Sequence, residues 1–400
     1  MDASTRDPAR DAGAEFPAPR VPEHPVLCSA ALRGAAAASI PSVLDIGTPV
    51  HALSGRMSLA SGLSLLGLGR GDRILLPAYH CTALVEPVVW GGLSPDFYRI
   101  RPDLTVDLDD VARKVAPSTR ALFAIHYFGF PQPMARLRAF CDERGLLLIE
   151  DCAHALFGLE DGRPFGGSGD IAIASTWKFF PVLDGGCLVS ARRDLSAVPA
   201  AGSGLSFEAK SLLNTMERGW QYGRLPVARA LFWLPLLLRA ALNRVRKGRG
   251  PGRGPPAAPR GSPVFESALV GRRPSRISSA IVQRASRARI VDGRRANYRE
   301  LLAALGELRG ARPLLPDLPG GVVPYVFPLL FDEPGRLFAL LKGRGVPIVR
   351  FGEFLWPGVD ERICPVAADY SRRLFQFPCH QELRPDELAW MIAEIRAALA

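Results

Sequence analysis

The chain has 400 residues, 48% apolar and 22% charged. That is enough to bury more than one core, and it excludes a disordered or fibrous protein. The net charge is +11, but much of the excess lies between Arg244 and Arg273 with no aromatic residue before Phe265, which argues against a nucleic-acid platform of stacked bases. The seven cysteines (Cys28, Cys81, Cys141, Cys152, Cys187, Cys364 and Cys379) are odd in number and irregularly spaced, with no C-x-x-C pair. They predict free thiols in a reducing, cytoplasmic compartment and no metal site.

Residues 1–25 are polar, rich in Pro, Ala and Asp, and lack an export-signal pattern, so a loose tail is predicted. Helix and strand then alternate. Met57 to Leu68 predicts a helix ended by Gly67-Leu68-Gly69-Arg70-Gly71, and Arg73 to Pro77 a buried strand. Ala83 to Trp90 reads as a helix and Pro95 to Ile100 as a strand. Val106 to Val115, with Asp107 as N-cap, reads as a helix, and Ala121 to Tyr127 as a strand. Met134 to Arg144, closed by Gly145, is helical. Leu146 to Glu150, Ile171 to Ser175 and Cys187 to Ser190 are strands. Near-continuous apolar strands between helices predict an α/β domain with a mostly parallel sheet covered on both faces.

The alternation breaks over 202–274. Arg224 to Val245 is apolar and runs into a basic Gly/Pro linker ending at Pro263. Two readings stand: a helix lying on a membrane surface through 224–263, at the inner face, or a helix packed on protein. From Ser275, helices over Ser278 to Val291, Gly293 to Leu308, Glu333 to Gly343 and Pro385 to Ala398 combine with strands at Val322 to Phe331 and Val346 to Val349. The predicted organisation is a tail (1–25), a large domain (26–201), an insertion (202–274) and a smaller α+β domain (275–400).

Ligands of such sheets bind outside the carboxyl ends of the strands, which gathers Tyr79, His80, His126, Asp151 and Ser175 around one crevice. Leu148-Ile149-Glu150-Asp151-Cys152-Ala153-His154 ends an apolar strand in two carboxylates with an imidazole three residues beyond Asp151. A carboxylate there suits a cationic ring nitrogen; a solvated aspartate and a core histidine are the ordinary reading. Ser175-Thr176-Trp177-Lys178 delivers a hydroxyl and an amine from a buried strand. Of the five lysines, Lys178 alone follows such a strand directly, and a desolvated amine is a nucleophile. Ser54-Gly55-Arg56-Met57-Ser58 opens a helix whose N–H groups suit a phosphate, or serve simply as a cap. Pro77-Ala78-Tyr79-His80-Cys81-Thr82 offers a ring to lie on a cofactor, or ordinary packing.

In this order, with Ala124-Ile125-His126-Tyr127-Phe128-Gly129, Phe165-Gly166-Gly167, Gly169-Asp170-Ile171 and Asp184-Gly185-Gly186, these segments resemble the DegT/DnrJ family of sugar aminotransferases. The resemblance runs from Ser54 to Ser190 and returns weakly after Pro274. It implies PLP fold type I: a large domain with a seven-stranded sheet sandwiched by helices, plus a smaller C-terminal domain. The implied cofactor is pyridoxal 5'-phosphate (PLP). Lys178 would carry it as a Schiff base, with Asp151 on its ring nitrogen and His154 beside it. Ser175 and the N–H groups of Gly55, Arg56 and Met57 would hold the phosphate. Cys81 stands where the family often stacks an aromatic ring, a role left to Tyr79 or His80. Arg56 replaces the usual Thr or Ser.

The implied reaction is ping-pong transamination from an amino acid, glutamate by default, to a nucleotide-linked keto sugar, at the interface of a homodimer. A sugar dehydratase of the same fold, or a non-catalytic PLP- or sugar-binding relative, are the alternatives. The presence of Lys178 counts against the dehydratase, and the set Asp151, Ser175, Lys178 against the pure binder.

Overall fold

The computed structural model describes residues 16–32, 40–160, 162–225 and 265–400. Its centre is a seven-stranded sheet in the order β1-β9-β8-β5-β4-β2-β3. The strands are β1 (Val50–Ala52), β2 (Arg73–Pro77), β3 (Ser94–Tyr98), β4 (Thr119–Ile125), β5 (Leu147–Cys152), β8 (Ile171–Ala174) and β9 (Gly186–Val189). A short hairpin, β6 (Leu159–Glu160) and β7 (Arg163–Pro164), lies off the sheet. From β3 to β8 every pairing is parallel; β9 runs against both of its neighbours. The central strands are apolar on both faces because both faces are covered: Ile74 to Leu76, Ala121 to Ala124 and Ile171 to Ala174 are all buried.

The helices of this layer are α1 (Gly55–Leu65), α2 (Thr82–Trp90), α3 (Leu108–Lys114) and α4 (Met134–Arg144). Local signals set their ends. The Asp107 carboxylate accepts from the N–H groups of Asp109 and Asp110 at the start of α3. Gly145 closes α4 in the left-handed region, φ 63°, where a side chain would be strained. α4 buries Met134, Leu137, Phe140 and Cys141, a stripe at helical spacing.

Helix α5 (Leu205–Gln221) lies in the segment read as an insertion, and sequence reading did not anticipate it. The apolar and basic stretch 224–263 lies, from residue 226 on, outside the described residues. Among the described residues no helix is long and apolar enough to cross a membrane.

Beyond it come α6 (Arg276–Arg284) and α7 (Arg287–Leu305), then β10 (Ala311–Pro313), β11 (Val326–Phe331), α8 (Leu337–Gly343), α9 (Pro365–Arg373), β12 (Leu374–Pro378) and α10 (Pro385–Leu399). β10, β11 and β12 form an antiparallel sheet, and its core is closed by α7, α8 and α10 through Tyr298, Leu301, Leu341, Leu388 and Met391.

Four expectations are corrected. The helix expected through Val291 breaks at Ala285, because the Ser286 side chain caps the N–H of Arg289 and restarts the chain as α7. Residues 346–349 form no strand; Val349 makes a single bridge to Gln376. The described part of the supposed tail is pinned down. Val21 is buried in the small core, Arg20 N–H donates to the Gly345 carbonyl, and a ring nitrogen of His380 bonds the Pro22 carbonyl. Nor does 275 divide the two cores: Ile281 of α6 packs in the large one. α7 passes from the large core at Ile290 to the small one at Tyr298.

Candidate active site

The carboxyl ends of β5 and β8, the start of α1 and the loop before α2 enclose a cavity of about 310 Å3. Asp151, His154, Ser175, Lys178, Gly55, Arg56, Met57 and Cys81 all line it, with Trp177, Glu266, Leu269 and Phe351. Strand alternation sorts the two adjacent carboxylates. Asp151 faces the cavity. Glu150, on the other face, accepts from the N–H groups of Gly166 (3.0 Å), Ser168 (2.7 Å) and Gly169, and lies 3.1 Å from His126 Nε2.

Burial raises the Asp151 carboxyl above its ordinary range; the Lys178 charge and a 2.8 Å bond from the Ala153 N–H oppose that rise. Burial lowers the Lys178 amine, and Cys81 and Asp151 oppose the fall. Lysine and aspartate therefore sense each other across one space. A depressed amine loses its proton nearer neutrality, which is what a nucleophile requires. The amine lies 5.3 Å from the centre of the Tyr325 ring and 5.9 Å from that of Trp177. His154 lies between Phe128 (centroids 5.7 Å apart) and Tyr325 (4.7 Å), both near-parallel. Burial, then the Lys178 charge, holds its imidazole well below the usual range and so neutral.

The start of α1 is pressed against the sheet. A Cβ added to Gly55 would come within 2.7 Å of Ser175 Oγ, and one on Gly186 within 2.2 Å of the Ser54 carbonyl carbon. Glycine at both places lets the first-turn N–H groups and the Ser175 hydroxyl face one point. The hydroxyl makes no cap bond to the turn that follows it. First-turn N–H groups have no intrahelical acceptor; Ser54 Oγ caps that of Met57 at 3.4 Å, and those of Gly55 and Arg56 make this corner suit an anion.

Four sequence expectations part from the structure. Arg56 does line the cavity, but its Nη1 lies 2.8 Å from Glu86 Oε2 of α2, so its guanidinium answers a buried carboxylate. His80 is in the core. It stacks on Phe97 (4.9 Å), its Nδ1 bonds backbone carbonyls, its Nε2 accepts from the Trp356 N–H, and burial lowers it to about 4. Tyr79 is wholly buried against Tyr127, Phe351 and Tyr370. His126 belongs to the Glu150 side. Neither Tyr79 nor His80 can therefore take the stacking place beside Cys81. The strand-end rule locates a residue along the strand, not the face it takes. Sequence reading missed Tyr325 and Phe351, which reach the large core from C-terminal segments without a local motif.

PLP fits this donor set. It needs an anion corner for its phosphate, a carboxylate for its ring nitrogen and an amine for its aldehyde. The cavity offers Gly55, Arg56, Met57 and Ser175 for the first, Asp151 for the second and Lys178 for the third.

A mostly parallel seven-stranded sheet flanked by helices is the fold the chain shares with solved aminotransferases. Among solved structures the chain is similar to Helicobacter pylori PseC, an aminotransferase involved in the biosynthesis of pseudaminic acid (TM-score 0.65, 14% identity, 96% of this chain and 99% of that one). It is also similar to the aminotransferase TlmJ from Streptoalloteichus hindustanus (TM-score 0.60, 24% identity, 88% and 85%). Residues 48–198, the segment that builds the sheet and most of the cavity, match the DegT/DnrJ/EryC1/StrS aminotransferase family. Over 128 residues it is 38% identical to the GDP-perosamine synthase of Vibrio cholerae, covering 32% of this chain and 34% of that protein. Over 127 residues it is 38% identical to the dTDP-4-dehydro-2,3,6-trideoxy-D-glucose 4-aminotransferase of Saccharopolyspora spinosa, covering 32% of each. The chain thus spans about a third of the length of these curated relatives.

Proposed function

We propose that the protein is a PLP-dependent aminotransferase that moves an amino group from an amino acid, glutamate by default, to a keto sugar, nucleotide-linked, in glycoconjugate or polysaccharide biosynthesis. The observation that carries this is the pair Lys178 and Asp151 facing one cavity beside an anion corner. PLP, once bound, supplies an electron sink for proton removal next to nitrogen. Asp151 keeps the proton on the ring nitrogen. Lys178 would hold the cofactor through its amine and, when free, would carry a proton as base and acid. The neutral His154 imidazole lines the cavity, backed by the Tyr325 ring stacked on it. The sugar class is taken from what the relatives act on. A cytoplasmic setting is supported by seven unpaired cysteines. A homodimer is supported by exposed apolar side chains, Val89 and Trp90 on α2 and Leu205, Leu212, Leu213 and Trp220 on α5, which a second copy would cover.

The test is spectral and chemical. Purified protein given PLP should gain the visible band of a lysine-linked cofactor. Glutamate should discharge that band with release of 2-oxoglutarate, and a nucleotide keto sugar should restore it. Lys178→Ala should show no such band; a full-strength band in that variant would remove Lys178 from the role.

A further inference from the structure

Arg294, in the second turn of α7, is completely buried between Ile290 of the large core and Tyr298 of the small one. Its Nη1 donates to the carbonyls of Pro324 (3.2 Å) and Tyr325 (2.8 Å), its Nη2 to the carbonyl of Lys178 (2.6 Å), and its guanidinium lies 4.4 Å from the centre of the Phe179 ring. Among the described residues it forms no ion pair, and burial lowers it to about 10. Burying a cation this way is expensive, and apolar side chains of similar volume would join two cores at lower cost. What an apolar side chain cannot do is bond three carbonyls from two segments far apart in sequence.

We propose that Arg294 is the positioning residue for Lys178: one guanidinium fixes both the backbone from which the amine springs and the strand entry that carries Tyr325, the ring against which that amine rests. The claim builds on the reading of Lys178 as the PLP-binding amine. A small displacement of a reacting group can cost a rate on the order of 100-fold, so a bond to the lysine's own carbonyl bears directly on capture.

The experiment measures how fast Lys178 captures PLP in the full chain, by borohydride reduction and peptide mass analysis. Arg294→Met should slow capture at least ~10-fold, and Arg294→Lys, which keeps the charge and part of the bonding, should recover part of that loss. Gln381→Ala is the control for simple loss of stability. Gln381 bonds the neighbouring Phe179 carbonyl at 2.9 Å, in the same seam, so this variant should melt lower yet capture within ~2-fold of the unaltered chain. Wild-type capture rates in Arg294→Met, or in Arg294→Lys if the Met variant does not fold, overturn the proposal. So does an equal loss in Gln381→Ala. Failure of the unaltered chain to be trapped at Lys178 would instead sink the aminotransferase reading, and this inference with it.

Discussion

Asp151 and Lys178 leave water together, and burial moves them in opposite directions: the carboxyl upward, the amine downward. The rate of PLP capture should therefore rise with pH through a midpoint below 10.5, the ordinary lysine value, as the amine deprotonates. The carboxylate charge raises that amine, so Asp151→Asn should move the midpoint lower still, while turnover falls by orders of magnitude because a neutral ring nitrogen is a poorer sink. Stopped-flow absorbance across pH 6–11 measures the midpoint; an upward move in Asp151→Asn would contradict the coupling. Both residues were legible in the sequence as candidates because each lies at or just beyond the end of an apolar strand, but their roles came from the ordered family resemblance. Tyr79, His80 and His126 satisfied the same rule and turned elsewhere. Their facing depends on what packs against each strand, which no short window of sequence contains.

Among the elements, β5 organises the most. Its Glu150 gathers three N–H groups of the 166–169 loop and the His126 imidazole with nothing exposed to water. That loop leads into β8, and so to Ser175 and Lys178. Replacing Glu150 by Ala strands those donors and should cost about 3–5 kcal/mol, read as a lower denaturant midpoint in urea. Although burial raises this carboxyl, the imidazole and the backbone donors outweigh it, and the net shift is downward. Its stabilisation is thus complete above the ordinary carboxyl range and lost as pH falls through the lower folded value. Glu150→Gln should accordingly flatten the acid limb of the stability curve below the ordinary carboxyl value of 4.5; an unchanged limb would show that Glu150 does not titrate there. Caps and stops made the α3 and α4 boundaries readable from Asp107 and Gly145. The break between α6 and α7 was not, because Ser286 interrupts a pattern whose helical period continues on both sides.

At the scale of the whole molecule, the family-like stretch 48–198 builds the sheet and most of the cavity, and that part was readable in order. The remainder contributes by tertiary contact: α7 ties two cores, Tyr325 and Phe351 come in from C-terminal segments, and Val21 to Cys28 lie against the small domain. None carries a motif, since what selects each of them, Tyr325 and Phe351 against the large core included, is the shape it completes. Cys81 offers a last measurement on the assembled cavity. It is the one cysteine of the seven with part of its surface open, the other six being buried, and its thiol is raised by burial. A small maleimide at mildly alkaline pH should modify position 81 first, and saturating PLP should slow that at least ~10-fold; peptide mapping that finds another cysteine first would refute it. Nature has placed a footprinting tag inside the cleft, so that filled and vacant molecules in a mixture can be counted by mass without any chromophore.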